Sequence, residues 1–76
     1  MADIDILTEL LARISTKRRH ASIKYLAAAK TAEGTKNDAP EVKNCYTEAM
    51  YEAEERYSLW VKFEHSLREV ISELVG

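Results

Sequence analysis

The sequence predicts an all-α protein: one long antiparallel hairpin of two helices, coiled-coil-like in its spacing, assembling as a homo-oligomer into a helical bundle. Three observations predict it. Helix breakers are scarce, with two Gly and one Pro in 76 residues, well under the usual share. Most of them fall in one stretch, Gly34-Thr35-Lys36-Asn37-Asp38-Ala39-Pro40. On both sides of it apolar residues recur at alternating steps of three and four, which keeps one stripe of each helix toward a partner.

Helix 1 is expected over about 4–33, starting near Asp3 or Asp5. Its stripe is Ile4, Leu7, Leu11, Ile14, Arg18, Ala21, Tyr25, Ala28 and Ala32. The loop is expected at 34–38, with Gly34 in the positive-φ position that follows many helices. Asp38 suits an N-cap, with Glu41 three residues on in a capping-box-like spacing, and Pro40 suits the first turn. Helix 2 is expected over about 39–75, on the stripe Val42, Tyr46, Ala49, Ala53, Arg56, Trp60, Phe63, Leu67, Val70 and Leu74. Each helix would be about 45–55 Å long at 1.5 Å per residue.

A loop centred near residue 37 gives a register in which facing residues have numbers adding to 74. Ile4 then meets Val70, Leu7 meets Leu67, Leu11 meets Phe63 and Ile14 meets Trp60. Tyr25 meets Ala49 and Ala28 meets Tyr46, large against small. Arg18 meets Arg56, a costly layer unless the arginines bend outward, find Glu52 or Glu55, or bracket an external anion.

The length fits one small domain, residues 1–76, with a thin stability margin. Such scaffolds need a disulfide, a metal or a partner chain. Cys45 is the only cysteine, and His20 and His65 are too far apart in sequence to form a zinc site with it. No metal and no cofactor is expected, and oligomerisation is the remaining support, with a dimer favoured. No apolar run approaches the roughly 18 residues of a membrane span. The acidic opening Met1-Ala2-Asp3-Ile4-Asp5 lacks the basic start of a signal peptide. A cytoplasmic protein is expected, in the host cytoplasm if it is viral.

Ile6, Leu10, Val61, Ile71 and Val75 lie off the expected stripes. Two helices need less apolar width than this. These five are the candidates for self-association or for docking another protein. Charge offers a second candidate. Residues 13–30 carry Arg13, Lys17, Arg18, Arg19, Lys24 and Lys30 and no acid, whereas residues 44–61 carry Glu48, Glu52, Glu54 and Glu55 against Arg56 alone. A basic helix against an acidic one fixes pairing within a hairpin. The same band, as Lys17, Arg18, Arg19, Lys24, Arg56 and Tyr57, is a candidate anion site for a nucleotide or nucleic acid. A net charge of −2 disfavours nucleic acid as the partner.

No catalytic residues are assigned: neither Ser15, Ser22 nor Cys45 forms a triad with His20, for want of an orienting carboxylate and an oxyanion hole. Cys45, one residue off the stripe, is expected to be partly buried, and His65 to be on the surface.

Residues Ile4-Asp5-Ile6-Leu7-Thr8-Glu9-Leu10-Leu11-Ala12-Arg13, with Lys24 eleven positions on, resemble the first helix of all-helical chorismate mutases. The likeness covers about a quarter of the chain and implies a mutase with Arg13 and Lys24 at its site. The chain has no Gln, so that family's late glutamine has no counterpart, and helix 2 lacks its pattern. In outline the hairpin also resembles type III secretion needle subunits and their chaperones, without the needle's aromatic start and Pro-rich loop.

The leading expectation is therefore a small non-enzymatic protein–protein interaction module, such as an adaptor, chaperone subunit or inhibitor, and one that a phage could encode. The alternative is a binding module for a phosphate-bearing ligand. A chorismate-mutase-like enzyme is the third.

Overall fold

The structure is a computed structural model that describes residues 2–76; Met1, part of the acidic opening, lies outside the described residues. It is all-helical. Helix α1 runs Ala2–Gly34 and α2 runs Pro40–Val75, and the two pack along each other as a hairpin 57 Å long. Neither helix is long and apolar enough to cross a membrane.

The turn between the helices departs from the sequence reading in two places. Gly34 is the last residue of α1 and has no positive φ. The helix ends instead by tightening into i→i+3 bonds, with the Thr35 N–H donating to Ala32 O (3.1 Å) and the Lys36 N–H to Glu33 O (3.4 Å). The Thr35 hydroxyl donates to the same Ala32 carbonyl at 2.9 Å. C-terminal carbonyls are thereby satisfied without a left-handed residue. Asp38 is not the N-cap. That position belongs to Ala39, at φ −55° and ψ 145°, with no side-chain cap bond. Proline is the reason. The residue before a proline is pushed out of the helical region, so α2 cannot begin until Pro40, which occupies its first turn.

The half-buried stripe of α1 contains all nine residues read from the sequence, Ile4 to Ala32, together with Ser15, Ser22 and Ala29. In α2 the stripe is Thr47, Met50, Ala53, Tyr57, Trp60, Glu64, Leu67 and Ile71. The sequence reading shares Ala53, Trp60 and Leu67 with it, is one residue off at its other positions between Tyr46 and Val70, and has no half-buried counterpart at Val42 and Leu74. Met50 replaces Ala49, Tyr57 replaces Arg56, Glu64 replaces Phe63 and Ile71 replaces Val70. One residue is about 100° around a helix, so α2 is rolled by roughly half that amount from the expected orientation. Phe63 and Val70 are turned outward, at 56% and 45% exposure. Ile71, read as an outward docking residue, belongs to the seam.

The register moves as well. Tyr25 stacks on Tyr57 with ring centroids 6.0 Å apart and planes 14° apart. Arg18 lies against Glu64 and Tyr57. The numbers of these pairs add to between 75 and 82, not 74. Thr47 is the first half-buried residue of α2, so Val42, Tyr46 and the rest of its first two turns stand clear of the seam.

The seam is half-dry at best. Among the described residues no apolar side chain is fully buried, and the only buried residues are Thr35 and Glu64. Small side chains are the physical reason along the loop-side half. Ala21, Ser22, Ala28, Ala29, Ala32 and Ala53 let the helices approach, but they cover little surface.

Candidate functional site

The two flanks of the seam carry different chemistry. The first holds an acid between two arginines. The Arg18 Nε donates to Glu64 Oε2 at 2.6 Å, and Arg68 lies 3.3 Å from Glu64 Oε1. Glu64 is only 8% exposed. The hydrogen bond from Arg18 holds its carboxyl below the usual range, opposed by burial and helped by the Ser15 hydroxyl and the charges of Arg18 and Arg68. The same hydrogen bond and the charge of Glu64 raise the Arg18 pKa. A charge half-removed from water is tolerated when it is paired and hydrogen-bonded. This pairing also accounts for the roll of α2. With Arg18 fixed on the seam of α1, an orientation presenting Glu64 neutralises it, while the expected one presented Arg56.

The second flank is an open groove of about 330 Å³ midway along the hairpin. Lys17, His20 and Lys24 line it from α1, and Glu52, Arg56 and Trp60 from α2, over a floor of Ala21, Ala49 and Ala53. The spacing explains the assembly. Lys17 and Lys24 are seven apart, as are Ala49 and Arg56, so each pair sits in one row along its helix. Alanines on the floor leave the space that larger side chains would fill. Trp60 closes the end nearer the chain termini and is itself tilted against Phe63, with centroids 5.9 Å apart.

The ion pairs separate the flanks further. Among the described residues the only pair joining the helices is Arg18–Glu64. The others are local: Arg13–Glu9, Lys36–Glu33, Arg68–Glu64 and, when the imidazole is protonated, His65–Glu69. Among the described residues, Lys17, Lys24 and Arg56 have no carboxylate within 4.0 Å, and Glu48, Glu52, Glu54 and Glu55 have no cation there. Among the described residues the expected ladder between a basic α1 and an acidic α2 is thus not made by direct contacts: Glu52 lines the groove with Lys17 and Lys24 but stands more than 4.0 Å from their charges.

The structure divides the sequence candidates accordingly. Of the six anion-site residues, Lys17, Lys24 and Arg56 meet in the groove. Arg18 is neutralised in the seam, Tyr57 is half-buried against Tyr25, and Arg19 is exposed outside the groove. His20, Glu52 and Trp60 are additions. The heptad offsets of His20 and Trp60 could have revealed them once the seam of α2 was placed correctly.

The docking candidates do not form one patch. Ile6 and Leu10 lie together with Glu9 and Arg13. They share the groove's flank, since Leu10 is seven residues before Lys17 and Ile6 fourteen before His20. Phe63 and Val70 continue the row of Arg56 on the same flank. Val61 sits between Tyr57 and Glu64 on the other flank, and Val75 is two heptads beyond it. Cys45, expected to be partly buried, is exposed, and so is His65. No protein-family model matches the chain, and no curated protein or solved structure matches it either.

Proposed function

We propose that the hairpin is a non-enzymatic protein–protein interaction module that works as half of a helical bundle, its other half being a second copy of the chain. The observation that carries this reading is the missing interior: among the described residues no apolar side chain is fully buried, while Ile6, Leu10, Phe63, Val70 and Leu74 are all exposed. A folded chain this small gains little from a seam of half-buried residues. Covering a further large apolar side chain is worth about 1.5–3 kcal/mol when it goes from fully exposed to fully buried.

These five keep Ile6 and Leu10 from the set expected from the sequence, Ile6, Leu10, Val61, Ile71 and Val75, and add Phe63, Val70 and Leu74. Ile6, Leu10, Phe63 and Val70 lie on the groove's flank and Leu74 extends the row of Trp60 and Leu67, all toward the termini. An isologous contact between two copies over this patch brings apolar rows together. It also keeps the two cationic grooves apart, because they lie farther toward the loop. An adaptor, chaperone-subunit or inhibitor role would use the surface left outside this contact.

Light scattering on the purified protein tests the proposal. The wild type should have twice the mass of one chain, and Phe63→Asp combined with Leu10→Asp should be a helical monomer. A monomeric wild type at tens of micromolar overturns the reading, as does a double variant that keeps the wild-type mass. Circular dichroism separates loss of assembly from loss of fold.

A further inference from the structure

We propose that the groove between α1 and α2 binds a small ligand carrying a multiply charged phosphate group, with Lys17, Lys24 and Arg56 holding the phosphates and Trp60 and His20 contacting the rest. This is a separate proposition from self-assembly, since the groove lies outside the apolar patch.

Five observations converge on it. Cations come from both walls, Lys17 and Lys24 on α1 and Arg56 on α2, so an anion is approached from two sides. All three lack a carboxylate within 4.0 Å among the described residues, as do Arg19, Lys30, Lys43 and Lys62, but of these seven cations it is Lys17, Lys24 and Arg56 that line the groove together. The chain is −2 overall, so this positive charge is a local concentration and not an average property of the surface. The alanine floor creates about 330 Å³ of space, at the lower end of what small-molecule sites offer and far too little for a partner helix. Lys17 and Lys24 stand two turns apart, about 10 Å, a span that suits a short phosphate chain better than a single anion.

The groove is also polar along its length. Residue numbers rise toward the loop in α1 and fall toward it in α2, so Lys17 and Trp60 mark one end and Lys24, Ala49 and Glu52 the other. Glu52 shares the loop-side end with Lys24 and can accept hydrogen bonds from a hydroxyl or amine beside the phosphates. The ligand class is therefore a short phosphate chain carrying an aromatic or planar group able to lie against Trp60. Arginine and lysine hold phosphate by charge-assisted hydrogen bonds.

Trp60 is the only tryptophan of the chain and lines the groove, so it serves as a built-in reporter. The full chain is titrated with inorganic triphosphate and, separately, with adenosine triphosphate at low ionic strength. Trp60 emission and calorimetry are both followed. A saturable change at one ligand per hairpin is expected, weakening as salt rises. Tighter binding of the nucleotide than of triphosphate assigns the Trp60 end to the base, and equal binding limits the site to the phosphates. Either result supports the site. Lys17→Glu with Arg56→Glu should weaken binding at least tenfold. Arg19→Glu with Lys30→Glu makes the same change of charge at exposed positions outside the groove and should alter it less than twofold. Equal loss in both double variants would mean diffuse attraction to a basic surface and overturns the site, as does the absence of saturable heat or fluorescence change with either ligand. Lys17→Ala with Lys24→Ala, which introduces no repulsion, repeats the test should the charge-reversed groove variant lose its helicity.

Discussion

Arg18 and Arg56 look equivalent in the sequence, each set on an apolar stripe, yet the fold treats them as opposites. Arg18 lies in the seam and gives its Nε–H to Glu64 at 2.6 Å. Arg56 lies on the wall of an open groove with Lys17 and Lys24 and, among the described residues, no carboxylate partner within 4.0 Å. The difference separates charge used to hold the hairpin from charge left over. A half-dry seam accepts a cation only with its anion beside it. A solvated groove imposes no such condition, so its cations remain able to meet something from outside.

The sharpest way to break this contrast is to remove Glu64. Glu64→Ala leaves Arg18 on the seam without its acid, and should lower Tm more than substitutions at Tyr57 or Arg56. Glu54→Ala, an exposed acid without a partner among the described residues, is the comparison. Equal melting points for the two variants would show that the Arg18–Glu64 pair does not hold the seam.

Acid should expose the same dependence without mutation. The Glu64 pKa is lowered from its usual 4.5, first by the hydrogen bond from Arg18. A carboxyl with a depressed folded-state pKa stabilises the fold above its unfolded value. That contribution is fully present above about pH 5, begins to fade near 4.5, and is gone once the pH has fallen through the folded value. Thermal melts from neutral to strongly acid pH should show a loss for the wild type that is smaller in Glu64→Gln. Parallel pH profiles for the two proteins would place the acid sensitivity elsewhere.

Which parts of the fold are legible in the sequence follows from the number of alternatives each pattern leaves open. The stripe of α1 is unambiguous, because Leu7, Leu11, Ile14, Tyr25 and the alanines leave one continuous row, and the structure keeps all of it. In α2 two neighbouring rows compete: Ala49, Arg56, Phe63 and Val70, or Met50, Tyr57, Glu64 and Ile71. Each has three residues of apolar character and one charge, so periodicity cannot choose between them. The choice depends on what stands opposite, and Arg18 selects the row containing Glu64. The loop misleads for a similar reason. Asp38 and Glu41 make a capping pattern, but the backbone restriction imposed by Pro40 on Ala39 outranks it. Half of the anion-site candidates reach the groove because Lys17 and Lys24 share a row whatever α2 does. His20 and Trp60 escape the sequence reading because the groove exists only in the rolled orientation.

Tyr57 sharpens the comparison from the seam side. Its ring stacks on Tyr25 across the helices, and aromatic pairs add about 0.5–1.5 kcal/mol beyond the area they cover. Tyr57→Ala should destabilise the hairpin by roughly 1–2 kcal/mol, and Tyr57→Phe by less, since it keeps the ring. In a double-mutant cycle with Tyr25→Ala the coupling should match the stacking range. Additive effects of the two substitutions would mean that the rings touch without stabilising the pair.

The smallest expected effect bears most directly on the groove. Arg56→Glu reverses a charge in a position that the sequence pattern places at the centre of the seam. If that placement were right, the new carboxylate would stand opposite Arg18 and form an internal pair, and Tm would rise. In the observed orientation it faces the groove, where Lys17 and Lys24 offer weak, solvated attraction and Glu52, one turn away on the same helix, offers weak repulsion. These oppose each other, so stability should change by no more than about 0.5 kcal/mol. The hairpin would keep its fold while the groove lost one of its lysine and arginine cations. A gain well beyond that limit would restore the Arg18–Arg56 layer and with it the expected roll of α2. An unchanged Tm would leave Arg56 as charge that the fold does not use.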